Sequence, residues 1–178
     1  MTEPTSYRLS HFGLCVSGLE QSLRFYCDGL GFERAEGFDL SDADLPGLDR
    51  ALEVPAPVDL RSQMITLGGT RIELLHYRTP GVEGAPSQRR NQVGLTHLAF
   101  WVDDVDAAAG RLAQLGGTIL AETRQTVGIE LVFVADPDGV RIELMGPAPP
   151  TSAMAADRGG QLDRVAAAGR RRPALRAP

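Results

Sequence analysis

Two histidines and two glutamates recur at matching places in the chain, and they are the residues best suited to chemistry. Leu9-Ser10-His11-Phe12-Gly13-Leu14-Cys15-Val16 and Leu95-Thr96-His97-Leu98-Ala99-Phe100-Trp101-Val102 share one pattern with histidine third, and Arg-Ile-Glu-Leu occurs at Arg71 to Leu74 and again at Arg141 to Leu144. Two imidazoles and two carboxylates meeting at one point make a divalent-metal site of mixed nitrogen and oxygen donors, suited to Zn, Ni, Co, Mn or Fe rather than Ca. A single histidine or glutamate on a strand is ordinarily a hydrogen-bonded or solvated residue. The weight lies in the coincidence, because the same ligand types stand at equivalent places in both copies of a repeat. His76, the third histidine, has no counterpart in the repeat and is read as structural.

The repeat must be built from elements that can aim these side chains. The paired histidines are 86 residues apart and the paired glutamates 70, so the first copy is 16 residues longer between its histidine and its glutamate. Period-two alternation over Tyr7 to Val16 puts His11, Gly13 and Cys15 on one face of a strand and Phe12, Leu14 and Val16 on the other. Ser17 and Glu20 have the spacing of a capping box, and Leu19, Leu23, Tyr26 and Leu30 form a helical stripe that Gly31 ends. Residues 33–62 read as a long acidic, proline-bearing loop that would carry substrate contacts, and a strand over Thr70 to Tyr77 bears Glu73. In the second copy a strand over Thr96 to Val102 leads to a helix capped by Asp103 or Asp104. Two short strands near Thr118 to Ala121 and Glu130 to Ala135, a turn at Asp136 to Gly139 and the strand bearing Glu143 follow.

Each half therefore reads strand, helix, strand, strand, strand. The expected organisation is a flexible N-terminus over 1–6, a first module over 7–79, a linker over 80–94, a second module over 95–146 and a disordered Pro/Ala/Arg-rich tail over 147–178.

Composition narrows the function classes. At 178 residues and 43% hydrophobic the chain can bury one core, and no apolar run approaches the ~18 residues that span a bilayer. Met1 to Arg8 is polar, unlike a signal peptide, and Cys15 and Cys27 are the only cysteines, so a soluble cytoplasmic protein with reduced thiols is expected. Every basic residue besides histidine is arginine, which excludes Schiff-base chemistry and a P-loop lysine. The formal net charge of −5 argues against nucleic acid as a partner. The expected partner is a small-molecule substrate, with no membrane.

His11 to Val16, Phe25-Tyr26-Cys27-Asp28-Gly29-Leu30-Gly31-Phe32, Leu95 to Asp104, and Asp136-Pro137-Asp138-Gly139 followed by Arg141 to Leu144 resemble the vicinal oxygen chelate superfamily of glyoxalases, bleomycin resistance proteins and extradiol dioxygenases. The resemblance covers about Arg8 to Gly146. It implies an α+β fold of two tandem βαβββ modules whose mixed sheets form an open cup with helices outside, and a homodimer, with the cup built within one chain or across two. In glyoxalase-like members one His and one Glu of each module hold the metal, and His11, Glu73, His97 and Glu143 fill those positions here. Glutamine usually stands at the place of Glu73 in epimerase-like members, whereas dioxygenase-like members use two histidines and the last glutamate alone.

Such a donor set keeps net charge near zero and leaves about two of six octahedral positions for a substrate with two adjacent oxygens. The reading is a metal-dependent isomerase, lyase or epimerase, lactoylglutathione lyase-like, that moves a proton next to a carbonyl, with Glu143 and Glu73 as candidate bases. A non-haem iron ring-cleaving dioxygenase using His11, His97 and Glu143 is the alternative within catalysis. A drug-binding or resistance protein is the alternative outside it.

Overall fold

The computed structural model describes residues 6–147; the expectations for residues 1–5 and for the tail beyond 147 lie outside the described residues. The first module contains β1 (Phe12–Cys15), α1 (Leu19–Leu23) continued by a π-helical turn over Arg24–Gly29, β2 (Glu33–Ser41), α2 (Leu48–Leu52), β3 (Asp59–Leu67) and β4 (Thr70–Thr79). The second contains β5 (Leu98–Trp101), α3 (Val105–Gln114), β6 (Thr118–Gln125), β7 (Glu130–Ala135) and β8 (Arg141–Gly146). Each module folds into an open four-stranded sheet, in the orders β1-β4-β3-β2 and β5-β8-β7-β6. In each the first strand runs parallel to the last and the other pairs are antiparallel. The chain is thus two tandem βαβββ modules with peripheral helices. No strand or helix lies between the end of β4 and the start of β5, and among the described residues no helix is long and apolar enough to cross a membrane.

Alternation along the strands divides core from site. Leu14 and Val16, Ile72 and Leu74, Ile142 and Leu144 are buried, and the residues between them point to the opposite sheet faces. Each buried aliphatic side chain contributes roughly 1.5–3 kcal/mol of transfer free energy. These strand residues join Leu23, Phe25 and Tyr26 of the first helix and Val105, Ala109 and Leu112 of α3 in one apolar cluster shared by both modules. The Arg111 guanidinium donates to the Asp28 carbonyl across the same junction, and Phe32 meets Phe100 edge to face at 6.2 Å.

Packing there is tight enough to require glycine. A Cβ on Gly117 would lie 2.8 Å from Phe25 Cε2, 2.9 Å from the Leu112 carbonyl oxygen and 3.0 Å from Val134 Cγ1. Because one neighbour is backbone, Gly117→Ala should destabilise the protein by about 1–3 kcal/mol. Thermal unfolding of the variant measures this; a melting temperature equal to that of the wild type would refute the tight junction.

Three local expectations are corrected. Residues 33–62 are not a loop: they hold β2, α2 and the beginning of β3, with a register shift between Arg34 and Gly37 that breaks the alternation. Ser17 and Glu20 do not form a capping box. Gly18 is the N-cap of α1 with no side-chain cap, and the Ser17 N–H donates instead to Asp138 Oδ2 of the other module at 3.1 Å. The strands carrying the histidines are shorter than expected, beginning at Phe12 and Leu98, so each histidine lies just ahead of its strand. The expected cap of α3 is Asp104, whose Oδ1 accepts the Ala107 N–H at 2.8 Å.

Candidate active site

The register of the parallel pairs places the four residues. Gly13 stands opposite Glu73 on β4, and Ala99 stands opposite Glu143 on β8, so the two modules use one register. A histidine two residues before Gly13 or Ala99 continues the same face, and its ring reaches the facing carboxylate. His11 Nε2 lies 3.2 Å from Glu73 Oε2, and His97 Nε2 lies 3.1 Å from Glu143 Oε2. Both carboxylates are more sheltered than their histidines, with side-chain exposures of 21% and 14% against 35% and 30%. The imidazoles therefore form the solvent side of each pair.

Hydroxyls that the sequence reading passed over hold these pairs in place. Ser10 Oγ is 3.0 Å from His11 Nδ1, and Thr96 Oγ1 is 2.7 Å from His97 Nδ1. In the tautomer whose Nδ1–H is donated to the hydroxyl, Nε2 presents its lone pair, which is the form a metal ligand needs. The repeat carries the signal, since a hydroxyl residue precedes the histidine in both copies. Ser62 donates to Glu73 Oε1 at 2.5 Å, whereas Glu143 has no hydroxyl partner among the described residues. The two glutamates are thus equivalent in position but not in freedom.

The remaining titratable groups on these faces are poor nucleophiles. Burial, with the Asp138 charge second, raises the Cys15 thiol, which follows Gly13 by two residues. Burial likewise raises the Tyr77 phenol, assisted by Cys15 and Glu73. His76 lies off the site, its Nδ1 3.1 Å from the Val16 carbonyl oxygen, an arrangement of the structural kind.

The donor chemistry of each pair suits a divalent ion: an imidazole nitrogen with a hydroxyl at its other ring nitrogen, beside a sheltered carboxylate. Among the described residues no three His, Cys, Asp or Glu side chains gather closely enough to hold one ion, so the chain presents two His–Glu pairs.

The sequence profile of the Glyoxalase/Bleomycin resistance protein/Dioxygenase superfamily matches residues 8–144. The chain belongs to this superfamily. A 2-epi-5-epi-valiolone epimerase from an Actinomyces species is 33% identical over 154 residues, covering 80% of this chain and 80% of that protein. An ethylmalonyl-CoA/methylmalonyl-CoA epimerase from Cereibacter sphaeroides is 29% identical over 125 residues, covering 68% of this chain and 80% of that protein. The fold matches that of a glyoxalase family protein from Bacillus cereus with a TM-score of 0.68 at 20% identity, over 84% of this chain and 99% of the other. Membership of this superfamily is consistent with isomerase, lyase or epimerase chemistry on small substrates bearing vicinal oxygens, and it supports catalysis in general.

Proposed function

We propose that the protein is a metal-dependent isomerase of the epimerase or lyase type, moving a proton at the carbon next to a carbonyl in a small substrate with two neighbouring oxygens. The supporting observation is the repeated pair, an imidazole Nε2 facing a glutamate Oε2 at 3.2 and 3.1 Å in matching registers. His11, Glu73, His97 and Glu143 would hold the ion, drawn from Zn, Ni, Co, Mn or Fe. When bound, such an ion supplies Lewis acidity that polarises the carbonyl and acidifies the adjacent C–H.

The protein's own groups then do the proton work. Glu143 is the base: its carboxylate is sheltered, and no hydroxyl restrains it among the described residues. It takes the proton from carbon while the electron pair of the broken C–H bond moves to the carbonyl oxygen. Release of that proton to solvent and delivery of a solvent proton to the opposite face of the carbon gives epimerisation. Delivery to the former carbonyl carbon, with the proton of the neighbouring hydroxyl passing to the former carbonyl oxygen, gives isomerisation. Glu73, held by Ser62, is the fixed donor and the second candidate base. Lactoylglutathione lyase activity would be a special case of the same proton transfer.

A homodimer completes the donor set in this reading. β1 and β5 are the edge strands of their sheets, and exposed apolar residues on them and on the segments leading into them fall at equivalent places in the repeat: Tyr7 with Val93 and Leu9 with Leu95 ahead of the strands, and Cys15 with Trp101 at their ends. These flank His11 and His97. Apposing the β1 edge of one copy to the β5 edge of another buries both apolar rows, and brings the His11–Glu73 pair beside the partner's His97 and Glu143.

The test is a metal-stripped sample reconstituted with Ni, Co, Zn, Mn and Fe(II). Metal-restored exchange of solvent deuterium into an α-hydroxy or 2-oxo compound, in a sedimenting dimer, is the expected result. Glu73→Gln should weaken metal binding by about tenfold or more. Fe(II)-dependent oxygen consumption insensitive to Glu73→Gln would replace the reading by a dioxygenase, and tight binding of an organic ligand without stoichiometric metal would replace it by sequestration.

A further inference from the structure

One cation at the second His–Glu pair lacks a carboxylate. Phe133 on β7 is paired with Glu143 on β8, and its buried ring meets the His97 ring edge-on, with centroids 5.5 Å apart and planes at 90°. The guanidinium of Arg90 lies over the same ring, Cζ 4.4 Å from its centroid. One phenyl ring therefore carries both groups, and the guanidinium can be no farther from the imidazole than the sum of those two distances.

The position of Arg90 is built into the segment between the modules. The Arg89 N–H donates to Gln92 Oε1 at 2.8 Å and the Gln92 N–H donates back to the Arg89 carbonyl at 3.1 Å, closing a turn around Arg90. A few residues earlier, Arg141 of β8 donates to the Ser87 carbonyl at 2.6 Å and ties the segment to the second sheet. Several other arginines near the sheets are paired with carboxylates, Arg61 and Arg78 with Asp39 and Asp59, Arg71 with Glu36, Arg124 with Asp106 and Glu130, and Arg141 is engaged by the Ser87 carbonyl. Arg90 faces no carboxylate among the described residues.

A guanidinium stacked on an aromatic ring keeps its N–H donors pointing sideways in its own plane, where they form a fork matched to carboxylate or phosphate. The chain as a whole carries −5, so an anionic substrate meets a net repulsive protein, and a guanidinium without a carboxylate partner beside this pair supplies local attraction.

We propose that Arg90 is a specificity-determining residue that anchors an anionic arm, carboxylate or phosphate, of the vicinal-oxygen substrate beside His97 and Glu143. This rests on the proton-transfer reading for the identity of the site and adds the charge class of what it accepts. The anchor lies outside the donor set, so substitution there leaves metal uptake intact.

Trp101 is the sole tryptophan and lies on β5 four residues beyond His97, so its fluorescence serves as the readout. Full-length, metal-loaded protein is titrated with three hydroxy-ketones of one core: dihydroxyacetone, dihydroxyacetone phosphate and 5-hydroxylevulinate. At least one anionic probe should bind about tenfold or more tighter than dihydroxyacetone, and which one it is assigns phosphate or carboxylate. Arg90→Met keeps an apolar cover on Phe133 and should abolish the preference without changing dihydroxyacetone binding, while Arg90→Lys should restore part of it. Equal binding of all three probes, a preference that survives Arg90→Met, or no response to any probe overturns the assignment. Metal content and deuterium exchange of the same samples decide separately whether the proton-transfer reading stands.

Discussion

Glu143→Gln is expected to slow exchange of solvent deuterium into the substrate by about 10²- to 10⁴-fold at saturating metal, the range for loss of a positioned general base. Glutamine keeps the size of the side chain and an oxygen that can face His97 but cannot accept a proton at neutral pH. Glu73→Gln should behave differently, although the two residues share one register. The Ser62 hydroxyl fixes Glu73 Oε1, so Glu73 holds its place rather than swinging to the substrate. Its replacement should lower metal affinity, and excess metal should restore much of the rate. The measurement is kcat against metal concentration for both variants. Recovery of Glu143→Gln by excess metal, with no recovery of Glu73→Gln, would exchange the roles of the two carboxylates.

The difference between the glutamates could not be read from the repeat, although their positions could. Duplication prints the same residue types twice, and strand parity fixes the face each must share, so His11 with Glu73 and His97 with Glu143 are legible as pairs. Parity says nothing about distance between two sheets. The donors accordingly come together two by two within the chain, and joining them requires a relation between surfaces that sequence periodicity does not encode.

Where local patterns misled, a tertiary contact explains it. β2 hides its strand character because most of its residues are exposed and a register shift interrupts it; the Gln63 side-chain amide donates to the Ala35 and Glu36 carbonyls at that irregularity. The first helix was expected to bury Leu19, Leu23, Tyr26 and Leu30. That stripe does face the core, with Leu23 and Tyr26 fully buried and Leu19 and Leu30 packed against it, but Phe25 is fully buried as well, because the π-helical turn widens the winding there and the other module packs on both rings. Ser17, placed to cap that helix, gives its N–H to Asp138 across the module junction. The turn at Asp136 to Gly139 was legible from its residue types, but its role in joining the modules was not.

That turn carries the largest expected loss of stability. Asp136 Oδ2 accepts the Tyr26 hydroxyl at 2.8 Å, and Oδ1 accepts the N–H groups of Asp138 and Val140 at 2.9 and 2.8 Å. Asp136→Ala strands a buried phenol O–H and two backbone N–H groups, and at roughly 1–3 kcal/mol for each unsatisfied group the variant should lose about 3 kcal/mol or more. Tyr26→Phe removes one of the three bonds and should cost less, near 1–2 kcal/mol. The two variants also separate by pH. Burial first, then the Asp136 charge and hydrogen bond and the Asp138 charge, raise the Tyr26 phenol well above its ordinary value. A group raised in the folded state adds stability that is whole below its unfolded pKa, about 10 for tyrosine, and is lost as pH rises beyond it. Wild-type stability should therefore fall between about pH 10 and 11 as the unfolded chain ionises and the folded one does not, and Tyr26→Phe should fall less steeply there. Asp136 has the same sign in acid: burial raises its carboxyl against the opposing hydrogen bonds, so its contribution declines as pH climbs through and beyond the ordinary aspartate range. Denaturant midpoints of wild type and Tyr26→Phe at pH 7, 10 and 11 test the alkaline arm, and parallel curves for the two would show that the folded protein does not hold the Tyr26 phenol above its ordinary value.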